Sequence, residues 1–257
     1  MKVLKTIILY SLLGLPVLAG AKTNSTEIWR NLLKQHADSV TWISATVRVD
    51  VSVGGRSLPP QEQKLEALGT VIAEDGLTVV SLTKIDPTSS IISRLRSPGA
   101  AVQVNYTEVL ILLQDGSEIP ARLLLKDTDL DLAYLLPIPG SSELDKVKTF
   151  SAAPSPSKSD TPVKPQVLDE VVTIAKLGRN LYRQSTLRRG WVNAVIEKPR
   201  PYFVIENTEP GTPVFDKLGR WIGVVVYKMD GERPTAVVTL PVLDIMEIAE
   251  QVRTRNP

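Results

Sequence analysis

A few stretches of this 257-residue chain bring together residue types that can do chemistry. Ser81-Leu82-Thr83-Lys84 fits S-x-x-K, in which a lysine amine activates a serine hydroxyl. Thr208 and Thr212 bracket Pro210-Gly211, and a threonine hydroxyl becomes a nucleophile when a base lies within hydrogen-bond reach. Asp127, Asp129 and Asp131 alternate as D-T-D-L-D, the opening spacing of a calcium loop. Residues 186–202, TLRRGWVNAVIEKPRPY, gather basic side chains around Trp191. His36 is the only histidine, hence the only side chain that is an ordinary base near neutral pH.

Each of these also has a plainer reading. S-x-x-K ends a strand pattern here instead of opening a helix, and neither S-D-N nor K-T-G accompanies it. The aspartates lack the glycine a calcium loop needs at its sixth position, where Leu132 stands, and the glutamate at its twelfth. Arginines on a strand are usually its solvated face. His36 sits on a helix-forming segment beside the apolar stripe. No metal or other cofactor is expected.

Composition narrows the classes further. There is no cysteine, which excludes disulfides and thiolate chemistry. Residues 1–21, MKVLKTIILYSLLGLPVLAGA, combine Lys2 and Lys5, a short apolar run and Ala19-Gly20-Ala21. That is the pattern of a cleaved signal peptide, and a periplasmic or secreted protein with no lasting membrane anchor is expected. The leader carries two of the 30 basic residues and none of the 28 acidic ones, so the remainder is balanced. Near-neutral charge argues against nucleic acid as a partner.

The elements that position these residues can be read from periodicity. Residues 24–38 have a helical stripe, with Asn24 and Glu27 spaced as a capping box. The pattern then changes to alternation over 40–53, VTWISATVRVDVSV, which is a strand with one buried face. Asp75-Gly76 and Asp115-Gly116 each sit between apolar runs, at 69–82 and 108–125, and signal hairpins. Residues 131–137 make a further strand. The Pro/Ser-rich stretch 151–166 reads as a linker. Strands follow at 170–177, 184–196, 201–206, 213–216, 220–228 and 235–240, and a helix closes the chain. The expected fold is all-β: a leader at 1–21, a helix and first barrel within 22–150, the linker, and a second barrel with a C-terminal helix within 167–257.

Five stretches in this order carry a family resemblance. GTVIAEDGLTVVSLTKI, DTDLDLAYLL, DEVVTIAKLG, RRGWVNAVI and GTPVFDKLGRWIGVVV resemble segments of the HtrA/Deg-type trypsin-like serine proteases, which have a double six-stranded barrel. The resemblance covers about residues 38–245 and includes no PDZ module. It puts the family's catalytic histidine at Thr83, its aspartate at Asp131 and its serine at Pro210. Threonine is no base at neutral pH, and proline has neither a hydroxyl nor the N–H that the family uses in its oxyanion hole. Shifting the nucleophile to Thr212 or Thr208 supplies no histidine. With Thr83 opposite it, Asp131 is expected to bond nearby backbone N–H groups instead of orienting a base.

The expected function is that of a pseudoprotease, binding or scaffolding an extended peptide or protein. The resemblance implies strand addition near Val224, Val225, Val226 and Tyr227. The alternatives are a hydrolase with a rearranged site, using Lys84 with a threonine, and a purely structural envelope or surface protein.

Overall fold

The computed structural model describes residues 25–95, 99–156 and 163–255. The expected leader, Asn24 and part of the expected linker lie outside the described residues.

Helix α1 (Ser25–His36) buries Trp29 and Leu32. It is followed by β1 (Val40–Val53), whose bounds match the alternating segment. The first half then contains β2 (Arg56–Ser57), β3 (Gln61–Val71), β4 (Thr78–Ser81), two short helices α2 (Leu82–Ile85) and α3 (Thr88–Leu95), β5 (Ala101–Leu112), β6 (Glu118–Asp127) and β7 (Leu132–Pro137). Strands pair antiparallel in the order β1-β3-β4-β7-β6-β5, and β5 pairs back onto β1, closing a six-stranded ring. The two-residue β2 only extends the end of β1.

The second half contains β8 (Glu170–Lys176), β9 (Ser185–Ile196), β10 (Tyr202–Ile205), β11 (Pro213–Asp216), β12 (Trp221–Asp230), β13 (Arg233–Pro241) and α4 (Val242–Arg255). Its six strands form a closed barrel in the order β10-β13-β12-β11-β8-β9. The all-β expectation therefore holds: two six-stranded rings, with a helix at each end. Among the described residues, no helix is long and apolar enough to cross a membrane.

The first half differs from the expected elements in detail. β3 begins at Gln61, because its outer half is a largely exposed polar ribbon, and β5 begins at Ala101, with Val102, Val104 and Tyr106 alternating on a half-buried face. The short helices α2 and α3 were also not anticipated. The start of the Pro/Ser-rich stretch is docked: just before it Phe150 N–H donates to Glu74 O at 3.0 Å, and within it Ala153 N–H donates to Val71 O at 2.8 Å.

Burial follows the two-residue period of the strands. In β4, Val80 points into the first ring with Ile43, Ile111 and Leu135. Its neighbour Val79 points outward, into a larger cluster shared by both halves. In β12, Val225 fills the second barrel with Val171 and Val214, while Val224 and Val226 join the shared cluster. That cluster also takes Trp29 and Leu32 of α1 and Ile245 and Val252 of α4. At about 1.5–3 kcal/mol per fully buried aliphatic side chain, this shared layer is the main force holding ring to barrel.

Polar contacts fix the alignment of the seam. Thr70 Oγ1 donates to Gly211 O at 2.8 Å, Trp42 Nε1 to Leu177 O at 3.0 Å and Tyr134 Oη to Ile245 O at 2.8 Å.

Candidate functional site

Pairing of β4 with β7 sets Ser81 opposite Leu132, and so brings the end of β4 against Asp131. Asp131 adopts a left-handed backbone, φ 56°, which aspartate tolerates better than most residues. Its carbonyl accepts from Leu82 N–H at 2.9 Å, starting α2. Its side chain is turned into the seam and is 1 % exposed.

Four donors converge on that carboxylate. Oδ1 accepts from Thr83 N–H at 2.7 Å and from Thr83 Oγ1 at 2.6 Å. Oδ2 accepts from Ser81 Oγ at 2.5 Å and from the Tyr227 N–H at 2.8 Å. The last bond comes from the other barrel. Burial pushes the Asp131 carboxyl above its ordinary range, and the bonds from Ser81, Thr83 and Tyr227 pull it back. The structure thus joins two of the expected positions, Thr83 and Asp131, as bonded partners.

The Thr83 hydroxyl is committed to Asp131. It donates to Asp131, and the Met229 sulfur is its other neighbour, at 3.9 Å. Lys84, the alternative base, extends its amine over the Tyr227 ring, 5.8 Å from the centroid.

The loop before β11 is tied into the fold. Pro210 is buried. Gly211 N–H donates to Val225 O at 2.8 Å, and Val225 N–H returns to Thr212 O at 2.9 Å. Thr212, fully buried, donates its hydroxyl to Glu209 O at 2.6 Å, and Thr208 donates its hydroxyl to Ile205 O at 3.1 Å. Both threonine hydroxyls thus serve as turn donors.

His36 lies at the end of α1, stacked on Phe215 with ring centroids 6.1 Å apart. Burial holds its imidazole below the ordinary 6.5, and a bond to the Ala152 backbone pulls the other way. Between 6.5 and that lower value, the unfolded chain binds a proton that the folded chain does not. Stability present above 6.5 is therefore expected to fall as the pH drops through this window. Melting temperatures from about pH 7.5 to 5.5 should show a decline that His36→Gln flattens.

The strand expected to receive a peptide is β12, and its valines are paired on both sides. Val224, Val225 and Val226 are fully buried, and their strand is paired to β13 on one side and to β11 and its preceding loop on the other. From Tyr227 to Asp230, β12 keeps β13 on one side and has no strand on the other among the described residues. The edge without a strand partner is thus Tyr227–Asp230, because β11 ends its pairing at Val224, and on it the Tyr227 N–H is already taken by Asp131.

Beside that edge lies a cavity of about 230 Å³, lined by Thr83, Asp131, Met229, Glu232, Asp86 and Lys126 among others. Asp86 accepts from Tyr106 Oη at 3.0 Å and from Thr88 N–H at 3.0 Å, and pairs with Lys126 Nζ at 3.4 Å. Burial and the charge of Asp86 push the Tyr106 phenol upward. No sequence signal singles out Ser81 as an Asp131 donor, or the Asp86–Tyr106–Lys126 group, since the partners come from separate strands. The D-T-D-L-D run is divided: Asp127 Oδ1 accepts the Asp129 and Leu130 N–H groups at 3.0 Å each, while Asp131 turns inward. Among the described residues, no group of three or more His, Cys, Asp or Glu side chains is placed to hold a metal.

No protein-family model matches the chain, and no curated protein matches it significantly.

Proposed function

We propose that this protein is an exported, catalytically inactive relative of the trypsin-like serine proteases that binds an extended segment of another protein. The observation that carries the reading is the state of the three triad-equivalent positions. Asp131 is saturated by Ser81, Thr83 and Tyr227, Thr83 is its donor, and Pro210 is buried with nothing to attack a carbonyl. Acyl transfer by this route needs a nucleophile, a base and an oxyanion donor together.

What supports binding is the open Tyr227–Asp230 edge beside a cavity large enough for a side chain. An extended segment would add to β12 through main-chain hydrogen bonds, and one of its side chains would enter the cavity.

Two measurements test the two halves of this reading. The purified protein should leave an unfolded protein substrate intact and remain unlabelled by a hydroxyl-directed fluorophosphonate; turnover or labelling sinks the inactive half. Peptides selected from a random extended-peptide library should slow amide exchange within Lys228–Asp230, the Tyr227 N–H being held by Asp131 already. Protection confined to other parts of the molecule would sink the strand-addition half.

A further inference from the structure

Lys176 closes β8, and its side chain is 3 % exposed although it carries an amine. Alternation puts it on the same face as Val172 and Ile174, both fully buried in the shared layer. It borders a cavity of about 500 Å³ at the seam, which Thr41, Gln114, Thr149 and Ser151 of the first half also line. A cavity of this size suits a small ligand.

The amine is poorly compensated for its depth. Its ion-pair partner is Asp38, 3.5 Å away and 63 % exposed, so that carboxylate is screened by water. A fully protonated amine has three N–H donors, and a buried one without matching acceptors is costly. Its cross-strand neighbour Ser185 holds a buried hydroxyl with no hydrogen-bond partner among the described residues. Two under-used polar groups therefore share one face of the β8–β9 hairpin.

We propose that Lys176 is a reactive amine that forms a reversible imine with a small carbonyl compound held in this seam cavity. The neutral nitrogen attacks the carbonyl carbon, its two protons pass to the oxygen, which leaves as water, and a C=N bond replaces the C=O bond, so no oxidant or reductant takes part. Burial lowers the proton affinity of the amine, Asp38 opposes this, and Arg183 on the same hairpin adds to it. Asp115, across the cavity on the β5–β6 turn, is the other charged group lining it. This site does not depend on the triad-equivalent cleft or on the proposed peptide edge.

The test is reductive labelling of the full chain at neutral pH with deuterated formaldehyde and cyanoborohydride, read lysine by lysine by mass spectrometry. Exposed Lys217 is the internal reference. Lys176 is expected to react several-fold faster, because burial weakens its hold on the proton and leaves more of the amine neutral. Asp38→Asn should raise the Lys176/Lys217 ratio, by removing the group that holds the proton. Arg183→Gln should lower it, by removing the charge that repels the proton. A ratio at or below one, or a ratio that neither variant moves, overturns the proposal.

Discussion

Asp131→Ala should destabilise the fold by about 3–5 kcal/mol, the largest loss expected for any single side chain in the cleft around Asp131. The substitution leaves Ser81 Oγ, Thr83 Oγ1 and the N–H groups of Thr83 and Tyr227 without their acceptor. An unsatisfied buried donor costs about 1–3 kcal/mol, and some of these groups will recover water at the cavity, so the sum falls short of four full penalties. Alanine also tolerates the left-handed backbone at φ 56° less well than aspartate. Asp131→Asn keeps the shape and the backbone preference but turns an NH2 toward two of the donors, and should cost about 1–3 kcal/mol. Urea unfolding at neutral pH measures both. If Asp131→Ala unfolds at the wild-type midpoint, the carboxylate is not the strut described.

The titration of Asp131 supplies an independent check. Its folded-state pKa is raised above the ordinary 3.8, so the folded chain holds this proton to higher pH than the unfolded one. The contribution of this group to stability therefore falls as the pH rises from about 3.8 through the raised value. Asp131→Asn should remove that component of the pH dependence. An ion pair would give the opposite sign, with stability lost on acidification.

Gly211→Ala is the second large effect, and its cause is the seam between the barrels. A Cβ at this position would lie 1.8 Å from the Leu68 carbonyl oxygen, at a backbone φ of 91°. No rotamer relieves a clash between a Cβ and a main-chain oxygen, so the loop must leave β3. That movement would break the bond from Thr70 Oγ1 to Gly211 O and the bond from Gly211 N–H to Val225 O. A loss of about 4 kcal/mol or more, or failure to fold, is expected. Gly116→Ala is the control, because its φ of 90° is nearly the same and nothing lies within 4 Å of the added Cβ. Its cost should stay near the 1–2 kcal/mol of the left-handed backbone alone. Equal losses at the two sites would mean that conformation, and not the close approach to Leu68, makes Gly211 necessary.

Much of the fold was legible because its signals are local. The alternation at 40–53 coincides with β1, and Asp75-Gly76 and Asp115-Gly116 mark hairpins whose glycines adopt φ of 87° and 90°. Burial on one face of a strand leaves a two-residue period in the sequence, and a tight turn leaves a glycine. The outer half of β3 left neither, because it is a largely exposed polar ribbon, whereas that of β5 carries the alternation of Val102, Val104 and Tyr106 on a half-buried face. Helix α2 is a single turn with too little length for a helical period.

The candidate site was legible only as a list of residue types. The lack of a second histidine, and proline at 210, are facts of composition and position that no packing can alter. Ser81 was visible only as part of an S-x-x-K match, and the tertiary structure gives its hydroxyl to Asp131, 50 residues away. The Tyr227 N–H comes from 96 residues away, and a backbone group has no signature in a sequence. The open edge moved from the valines at 224–226 to Tyr227–Asp230 because a loop two elements earlier covers the valines.

Lys176 shows the same division. In the sequence it continues the alternation of Val172 and Ile174 at the end of a strand, which leaves its burial open. Whether it reaches water depends on Asp38 after α1 and on residues around Gln114 and Ser151, which chain folding brings to the seam. By itself, then, the sequence determined two all-β rings, a helix before the first and another after the second, and a single histidine, because local periodicity and residue identity suffice for these. The partners of Asp131, the free length of β12 and the burial of Lys176 were decided by tertiary structure, because each depends on strand register and on how two separate rings pack.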